Sequence, residues 1–226
     1  MKNLLEKFGG FLALLLMVGW FAIQTFGGQA GTALFGNSTP VRLLAGHTLA
    51  ALFLWVAIRA VLSRSEKAGV KPIQIGSVRR NDVLILGGLM LAGYALERLY
   101  TALFGIQAET YMQGLLSLPS WQLALMLVTV ILVAPISEEL LFRHVLPGLP
   151  AEPAPKIGRG IWVRMILSAL LFMLVHSQYQ QTSTLLLMLW VAIVCTAARW
   201  KTGGLALPVG LHGFASVLAL GFQLLR

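Results

Sequence analysis

The chain is a succession of apolar runs, each long enough to cross a lipid bilayer as a helix. A membrane-spanning helix needs about 20 mostly apolar residues, and in lipid it satisfies its own backbone hydrogen bonds. The alternating pattern of a β-barrel strand is absent. We therefore predict an all-α, polytopic membrane helical bundle with about seven transmembrane helices. The runs lie at residues 8–26, 41–62, 83–104, 120–149, 161–181, 184–200 and 204–225.

The composition supports a membrane protein and argues against a soluble domain. Hydrophobic residues make up 58% of the chain and charged residues 11%, whereas about 25% of the residues of a soluble domain are charged. The net charge of +9 is typical of some nucleic-acid-binding proteins. Here the basic residues lie in short connections between apolar runs, so we expect a lipid bilayer and no nucleic acid as partner. The single cysteine, Cys195, is expected to pack inside the bundle.

The basic residues also predict the orientation of the chain, because cytoplasmic connections carry an excess of lysine and arginine. The connections at 27–40, 105–119 and 182–183 contain neither residue. Thirteen of the 17 basic residues lie in the alternate connections and segment ends, namely Lys2, Lys7, Arg59, Arg64, Lys67, Lys71, Arg79, Arg80, Lys156, Arg159, Arg164, Arg199 and Lys201. We predict a cytoplasmic N-terminus, an uncleaved first helix and a multi-pass protein of a prokaryotic plasma membrane.

Three charged residues interrupt the fourth apolar run, in the stretch ISEELLFRH. Glu138 and Glu139 are adjacent, and Arg143 follows Glu139 by four residues on the same helical face. Pro135, just upstream, removes a backbone hydrogen bond and can bend the helix. An ionisable side chain inside a bilayer costs several kcal/mol, which makes it a candidate functional residue. A plain charge cluster at a cytoplasmic helix end explains these three residues equally well.

Two further stretches, FMLVHSQ and LPVGLHGFAS, place His176 in the fifth helix and His212 in the seventh, with Ser216 four residues after His212. Unpaired polar groups are costly in lipid, so we expect the acids, the arginine and the two imidazoles to converge in one cluster. In contrast, His47 stands alone near the start of the second helix, and Glu97 has an arginine beside it. We expect both to be structural.

The residue inventory limits the chemistry of such a cluster. Hydrolysis of a peptide bond needs a group that activates water and a group that stabilises the oxyanion. An aspartyl site needs two aspartates, whereas this chain has one, Asp82, and the zinc motif H-E-x-x-H is absent. Ser216 beside His212 is a weak candidate nucleophile. A glutamate–histidine pair that activates water fits the residues better.

Three short motifs that contain these polar residues follow one another in the last half of the chain. They are EELLFR (Glu138, Glu139, Arg143), FMLVH (Phe172, His176) and HGFAS (His212, Ser216). This order resembles the motifs E-E-x-x-x-R, F-x-x-x-H and H-x-x-x-N of the CAAX-protease and bacteriocin-processing family, also called the Abi family. The resemblance covers about residues 120–220. It implies N-terminal transmembrane helices at 1–110 and a catalytic core at 120–226.

The resemblance implies a glutamic-type intramembrane endopeptidase, related to the enzyme that trims prenylated CAAX proteins. Glu138 and His176 would then activate water, and His212 would help to stabilise the oxyanion. Glu139 and Arg143 would orient and support the site. The expected partner is a membrane-embedded peptide or protein, or a lipidated or tagged one, cut near the cytoplasmic side.

The last motif departs from the family, because the family has asparagine where this chain has Ser216. A hydroxyl donates one hydrogen bond and reaches less far than a carboxamide. A non-catalytic membrane scaffold or immunity protein of the same family therefore stays an alternative, as does a proton-coupled transporter. No cofactor is expected, although zinc held by Glu138, His176 and His212, with Glu139, is not excluded.

The depth of the cluster predicts where the fourth helix ends. His176 lies about 22 Å along the fifth helix from its start. If the fourth helix ended at Arg143, the glutamates would lie too close to the cytoplasm to meet it. We predict that the helix continues to about Leu149 and is ended by Pro147 and Pro150. An irregular loop, PGLPAEPAPKIGRG, would follow.

Overall fold

The computed structural model describes residues 2–64, 73–147 and 159–225, with side chains from residue 10 to 60 in the first of these ranges. The described residues form helices joined by turns, with no strand among them, which confirms the predicted all-α bundle. The helices are α1 (Lys2–Phe35), α2 (Thr39–Arg64), α3 (Arg80–Leu103), α4 (Thr110–Leu116), α5 (Ser120–Val145), α6 (Arg159–Val175), α7 (Thr182–Thr202) and α8 (Ala206–Leu224).

Within the described part of the chain, six helices are long and apolar enough to cross a membrane, namely α1, α2, α3, α5, α7 and α8. The predicted count of seven spans is not confirmed, because α6 has only 17 residues. The predicted run 161–181 extends too far, since α6 ends at Val175, where the polar stretch HSQYQQ begins. His176 therefore lies in the turn that follows α6 and not inside the helix. The cytoplasmic N-terminus stays a prediction.

The fourth apolar run becomes the single long helix α5, which continues past Arg143 but is shorter than predicted. It ends at Val145, and the backbone N–H of Leu146 still donates to the carbonyl of Leu141 at 3.0 Å. A turn at residues 146 and 147 follows. Leu149 and most of the predicted irregular loop lie outside the described residues.

One hydrophobic core joins the N-terminal and C-terminal helices. Trp20, Leu54, Met90, Phe142 and Phe172 come from five different helices, and each has at most 2% of its surface exposed. Such close packing lets each helix fix the position of its neighbours. The helices that precede residue 110 therefore pack directly against the helices that carry the three motifs.

Small residues allow α1 and α2 to pack with their backbones in contact, as is common between membrane helices. A Cβ on Gly46 would lie 2.5 Å from the carbonyl oxygen of Gln24, and one on Gly27 would lie 2.7 Å from the Leu49 side chain. Because Gly46 precedes His47, this close contact brings the imidazole of His47 to the Gln24 side chain of α1.

Candidate active site

A cavity of about 360 Å³ lies between α1, α2, α4, α5, α8 and the turn after α6. Its polar lining includes six glutamine, glutamate and histidine side chains together with a serine hydroxyl. These are Gln24, His47, Glu138, His176, Gln178, His212 and Ser216. The cavity therefore collects residues from all three motifs and from two helices outside them.

The glutamate pair lies between two π-helical stretches of α5, at Thr129–Val133 and Leu140–Val145. A π-helical turn inserts an extra residue and frees backbone groups from the regular hydrogen-bond pattern, and it often occurs at functional sites. Glu139 is fully buried and Glu138 is 8% exposed. The short α-helical stretch between the two π turns thus presents both carboxylates to the interior of the bundle.

Glu139 forms the buried charged centre of the cluster. Its Oε2 lies 3.3 Å from Nε of Arg143, and its Oε1 accepts a hydrogen bond of 3.0 Å from Nδ1 of His212. The guanidinium of Arg143 also lies over the ring of Phe172, with 4.9 Å between Cζ and the ring centroid. Glu139 and Arg143 expose none of their surface, so each charge depends on its partner for compensation.

Glu138 faces two imidazoles with the same carboxylate oxygen. Its Oε2 lies 3.9 Å from Nε2 of His176 and 3.8 Å from Nε2 of His212. Nδ1 of His176 donates to the carbonyl of Phe172 at 2.7 Å, and Nδ1 of His212 donates to Glu139. In the neutral rings the protons are then on Nδ1, and both Nε2 lone pairs point toward Glu138.

His47 approaches Glu138 from the opposite side, so the expectation that it stands alone is wrong. Its Nε2 lies 3.8 Å from Oε1 of Glu138 and 2.9 Å from the side-chain nitrogen of Gln24. Nε1 of Trp20 donates to Oγ of Ser137 at 2.9 Å and fixes α1 against α5. The position of an ionisable residue inside a membrane helix was the available signal for His47.

Ser216 lies at the cavity, but its hydroxyl is used within the fold. Oγ donates to the carbonyl of Val130 at 2.8 Å. Inside α5 that carbonyl lacks its usual donors, because Ala134 N–H donates to Thr129 and Pro135 has no N–H. Ser168 of α6 donates in the same way to the carbonyl of Phe142 in the second π-helical stretch. Hydroxyls from neighbouring helices thus compensate both π turns.

Gly213 explains how His212 comes within reach of α5. A Cβ on Gly213 would lie 2.5 Å from the carbonyl oxygen of Ile131, so only glycine allows α8 this close to the first π-helical stretch. The imidazole of His212, one residue earlier, is then close enough to contact both carboxylates. The sequence HGFAS therefore provides an imidazole, a close backbone approach and a hydroxyl from one helix.

Aromatic side chains from α4 and from the turn after α6 line the cavity next to His176, with a glutamate close by. The rings of Tyr111 and Tyr179 meet edge to face with 5.7 Å between centroids, and Tyr179 stacks on His176. Glu109 accepts hydrogen bonds from the backbone N–H groups of Gln180 and Gln181. Burial, reinforced by the neighbouring Tyr111 and nearby carboxylates, raises the pKa of Tyr179 above its ordinary value, so its phenol remains a hydrogen-bond donor.

Glu97 lies outside this cluster, in a smaller cavity beside α3 and α7. Ser183 Oγ donates to its carboxylate at 3.3 Å, and its predicted pairing with Arg98 stays a prediction. Among the described residues, no three His, Cys, Asp or Glu side chains form a group suited to hold a metal ion. The zinc hypothesis for Glu138, His176 and His212 is therefore left to experiment.

Comparison with known proteins gives a family match over the region that carries the three motifs. The model of the family described as "Type II CAAX prenyl endopeptidase Rce1-like" matches residues 119–218, a range that includes all six predicted site residues. An Escherichia coli protein described as "Uncharacterized 24.3 kDa protein" is 32% identical over 171 residues, which cover 74% of this chain and 70% of that relative. No solved structure matches the chain.

The fold and the cluster define a multi-pass helical membrane protein with a buried site of carboxylates and imidazoles. The chain belongs to the CAAX-protease and bacteriocin-processing family, as its motifs indicate. The family match begins after α4, so Trp20, Gln24 and His47 lie outside it.

Proposed function

We propose that the protein is an intramembrane endopeptidase in which Glu138 and His176 activate a water molecule. One observation carries the proposal: Glu138 Oε2 and the Nε2 atoms of His176 and His212 face one another across the cavity at 3.8–3.9 Å. All three atoms are hydrogen-bond acceptors when the carboxylate is ionised and the rings are neutral. Among the described residues, nothing donates a hydrogen bond to the buried Oε2.

Water can supply the missing donors. A molecule between the carboxylate and an imidazole donates one proton to each and directs a lone pair of its oxygen into the cavity. Two acceptors on one water increase the negative charge on its oxygen and prepare it for attack. Glu138 is then the general base, within one hydrogen bond of the proton that it removes.

The reaction follows from this position. The water oxygen attacks the carbonyl carbon of the scissile peptide bond while its proton moves to Oε2 of Glu138, which leaves a tetrahedral oxyanion. Glu138 then returns that proton to the amide nitrogen as the carbon–nitrogen bond breaks. The products are a new carboxyl terminus and a new amino terminus.

His212 is suited to stabilise the oxyanion. Once Nε2 has taken up a proton from solvent in the cavity, the doubly protonated ring donates Nε2–H to the developing negative oxygen, while Nδ1–H continues to donate to Glu139 at 3.0 Å. Glu139 stabilises the positive charge on that ring and orients it, as a carboxylate behind an imidazole does in hydrolases. Arg143 compensates the remaining charge of Glu139, so both are positioning residues.

Ser216 has a positioning role in this proposal, instead of the oxyanion contact that the family's asparagine implies. Its hydroxyl proton is used on the Val130 carbonyl, 2.8 Å away. The hydroxyl thereby ties α8 to the first π-helical stretch and fixes the depth of His212, four residues earlier.

His47 is a positioning residue for the carboxylate of Glu138. It lies 3.8 Å from Oε1, whereas the other two imidazoles lie beside Oε2. Gln24 holds the ring of His47 through a contact of 2.9 Å. With imidazoles on both sides, the carboxylate has one orientation in which Oε2 faces the water.

The proposed substrate is a membrane-associated polypeptide, and the proposed reaction uses no metal. The cavity of about 360 Å³ accommodates a few residues of an extended chain. The description of the matching family suggests a prenylated C-terminal tail as one substrate class. Cleavage is expected to continue after treatment with a strong chelator. If activity were lost and then recovered on addition of zinc, the metal-free mechanism would be wrong.

The test compares membranes that contain the wild-type chain with membranes that contain Glu138→Gln. New protein N-termini, identified by terminal labelling and mass spectrometry, should appear with the wild type and be absent with the variant. Glu97→Gln is the matched control, because it changes a membrane glutamate outside the cluster and should preserve the wild-type termini. Equal thermal unfolding temperatures in detergent would show that Glu138→Gln is folded. Identical termini from wild type and Glu138→Gln would instead favour a non-catalytic scaffold.

A further inference from the structure

The cavity extends from Glu138 in one direction only along α5. Thr129, Val130 and Ala134, which precede Glu138 by one to three turns, line it. In the opposite direction, Leu141, Phe142 and Arg143 expose none of their surface and close the core. The site is therefore open toward the first residue of α5 and sealed toward its last.

The neighbouring helices α8 and α2 line the cavity on the same side of Glu138 as α5 does. On α8, the cavity lining continues from His212 to Leu220, whereas Leu207 and Leu211 on the other side are buried. On α2, the lining runs from Thr39 to His47, and the next turns are sealed by buried residues such as Ala50 and Leu54. Three helices thus agree on which end of the bundle is open.

The sealed end is also covered by backbone. The N–H of Ser77 donates to the carbonyl of Thr202 at 3.0 Å, and the N–H of Leu205 donates to that of Gln74 at 2.9 Å. Gly76 and Gly204 meet so closely that a Cβ on Gly204 would overlap the backbone of Ile75 and Gly76. The segment before α3 is therefore packed across the turn between α7 and α8.

The two ends differ in charge as well as in access. The connections at the open end, 36–38, 104–119 and 176–181, contain no lysine or arginine, and Arg42 and Arg98 lie in the adjoining parts of α2 and α3. In the sequence, the residues that connect the helix ends found at the sealed end, 65–79, 146–158 and 203–205, include Lys67, Lys71, Arg79 and Lys156, and Arg80, Arg159 and Lys201 lie in the adjoining helix ends. Short connections rich in lysine and arginine stay in the cytoplasm.

We infer that the cavity opens to the non-cytoplasmic side of the membrane. The consequence for the substrate rests on the proposed function. Glu138 would then cut a polypeptide segment that has already crossed the membrane or lies at its outer interface. The sealed end would then face the cytoplasm, so this inference departs from the expectation that the substrate is cut near the cytoplasmic side. Tyr111, Tyr179 and Arg42 border the opening and can donate hydrogen bonds to the backbone carbonyls of an extended peptide.

Cysteine labelling in oriented vesicles tests the inference. The single native cysteine, Cys195, is buried and can be replaced in a Cys195→Ala background. Two exposed serines then give a matched pair, Ser177→Cys beside the opening and Ser77→Cys at the sealed end. A membrane-impermeant maleimide should label Ser177→Cys, and leave Ser77→Cys unlabelled, in right-side-out vesicles. In inverted vesicles the pattern should be reversed.

Labelling of both cysteines after the membrane is dissolved in detergent provides the reference for their reactivity. If only Ser77→Cys were labelled in right-side-out vesicles, the inference would be wrong. The labelling needs no catalysis, so it separates the two proposals. An opening on the outer face with no new termini would contradict the protease, and new termini with an opening on the inner face would contradict only the orientation.

Discussion

The two sides of the cavity differ in how their polar groups are compensated. The core wall consists of Glu138, His176 and His212 from the family-matched region, together with the buried Glu139 and Arg143 that pack behind them. The hairpin wall consists of Trp20, Gln24 and His47 from α1 and α2. The core wall contains a buried ion pair and imidazoles whose Nδ1 atoms are fixed by partners, whereas neutral hydrogen bonds hold the hairpin wall.

This difference suggests a division of work. Charges buried in the core wall are strongly destabilising unless they are paired, so both the fold and the chemistry depend on these pairs. Neutral groups in the hairpin wall can be altered at lower cost, which makes them suited to adjust the carboxylate without supporting the core. Changes in the core wall should therefore affect stability or the chemical step strongly, and changes in the hairpin wall should affect activity moderately.

The largest expected effect is on stability, from Arg143→Ala. The change leaves the carboxylate of Glu139 fully buried without its cation, which typically costs about 3–5 kcal/mol. We expect a large fall in the thermal unfolding temperature of the purified protein in detergent. Arg159→Ala, which removes an exposed arginine at the start of α6, is the control and should unfold like the wild type.

A double variant separates the loss of a charge pair from the loss of packing. Glu139→Gln combined with Arg143→Met removes both charges, keeps an acceptor for Nδ1 of His212 and fills the space of the arginine. We expect it to recover much of the lost stability, because a neutral buried pair has no uncompensated charge. Wild-type unfolding of Arg143→Ala alone would show that the ion pair does not hold the core wall together.

The next effect is on the chemical step, from His176→Ala. Removing a group that shares the activating water should lower kcat by about 10²–10⁴-fold while leaving the fold intact. The rate of appearance of new N-termini in membranes measures the loss. Gln180→Ala, an exposed residue of the same connection, serves as the control. Full activity of His176→Ala would place the activating water elsewhere.

A moderate effect is expected in the hairpin wall, from His47→Ala. Because His47 orients Glu138 without touching the water in this proposal, kcat should fall by about 10–10²-fold with little change in KM. His47→Gln should restore part of the activity, since glutamine keeps a polar side chain beside Oε1 of Glu138 and its amide nitrogen can donate to a carboxylate. A change in KM alone would instead assign His47 to substrate binding, and no change would make the hairpin wall a scaffold.

The core wall could be predicted from the sequence because each of its parts leaves a local signal. Glu139 and Arg143 are four residues apart on one helical face, and charges inside an apolar run must find partners. The meeting of His176 and His212 with the glutamates follows from the same cost of burial. The predicted convergence is therefore a consequence of charge and lipid, which are both visible in the sequence.

The features that the sequence did not reveal depend on distant contacts. His47 meets Glu138 because α2 packs against α5, and no spacing in the sequence indicates that contact. Pro135 is the sequence signal for the π-helical stretches of α5. The hydroxyls that donate to their free carbonyls come from serines of α6 and α8, which are far away in the sequence. The direction of the cavity likewise depends on which turns of several helices are packed together.

The smallest expected effect comes from Ser216→Ala. Ser216 lies beside the core wall and stands where the family pattern has asparagine. The change leaves the Val130 carbonyl without the hydroxyl that donates to it at 2.8 Å. A buried hydrogen bond of this kind contributes about 1 kcal/mol, so a slightly lower unfolding temperature is expected. Because the hydroxyl has no contact with the reacting atoms in this proposal, activity should fall much less than in His176→Ala.

Ser216→Asn distinguishes this positioning role from a role in oxyanion binding. If the hydroxyl only compensates the π-helical stretch, the longer carboxamide has to displace α8 from α5, and Ser216→Asn should be no more active than the wild type. A strong gain in kcat would show that the family's asparagine improves the site by donating to the oxyanion. Loss of all cleavage in Ser216→Ala would likewise show that Ser216 is a catalytic residue and does not only position His212.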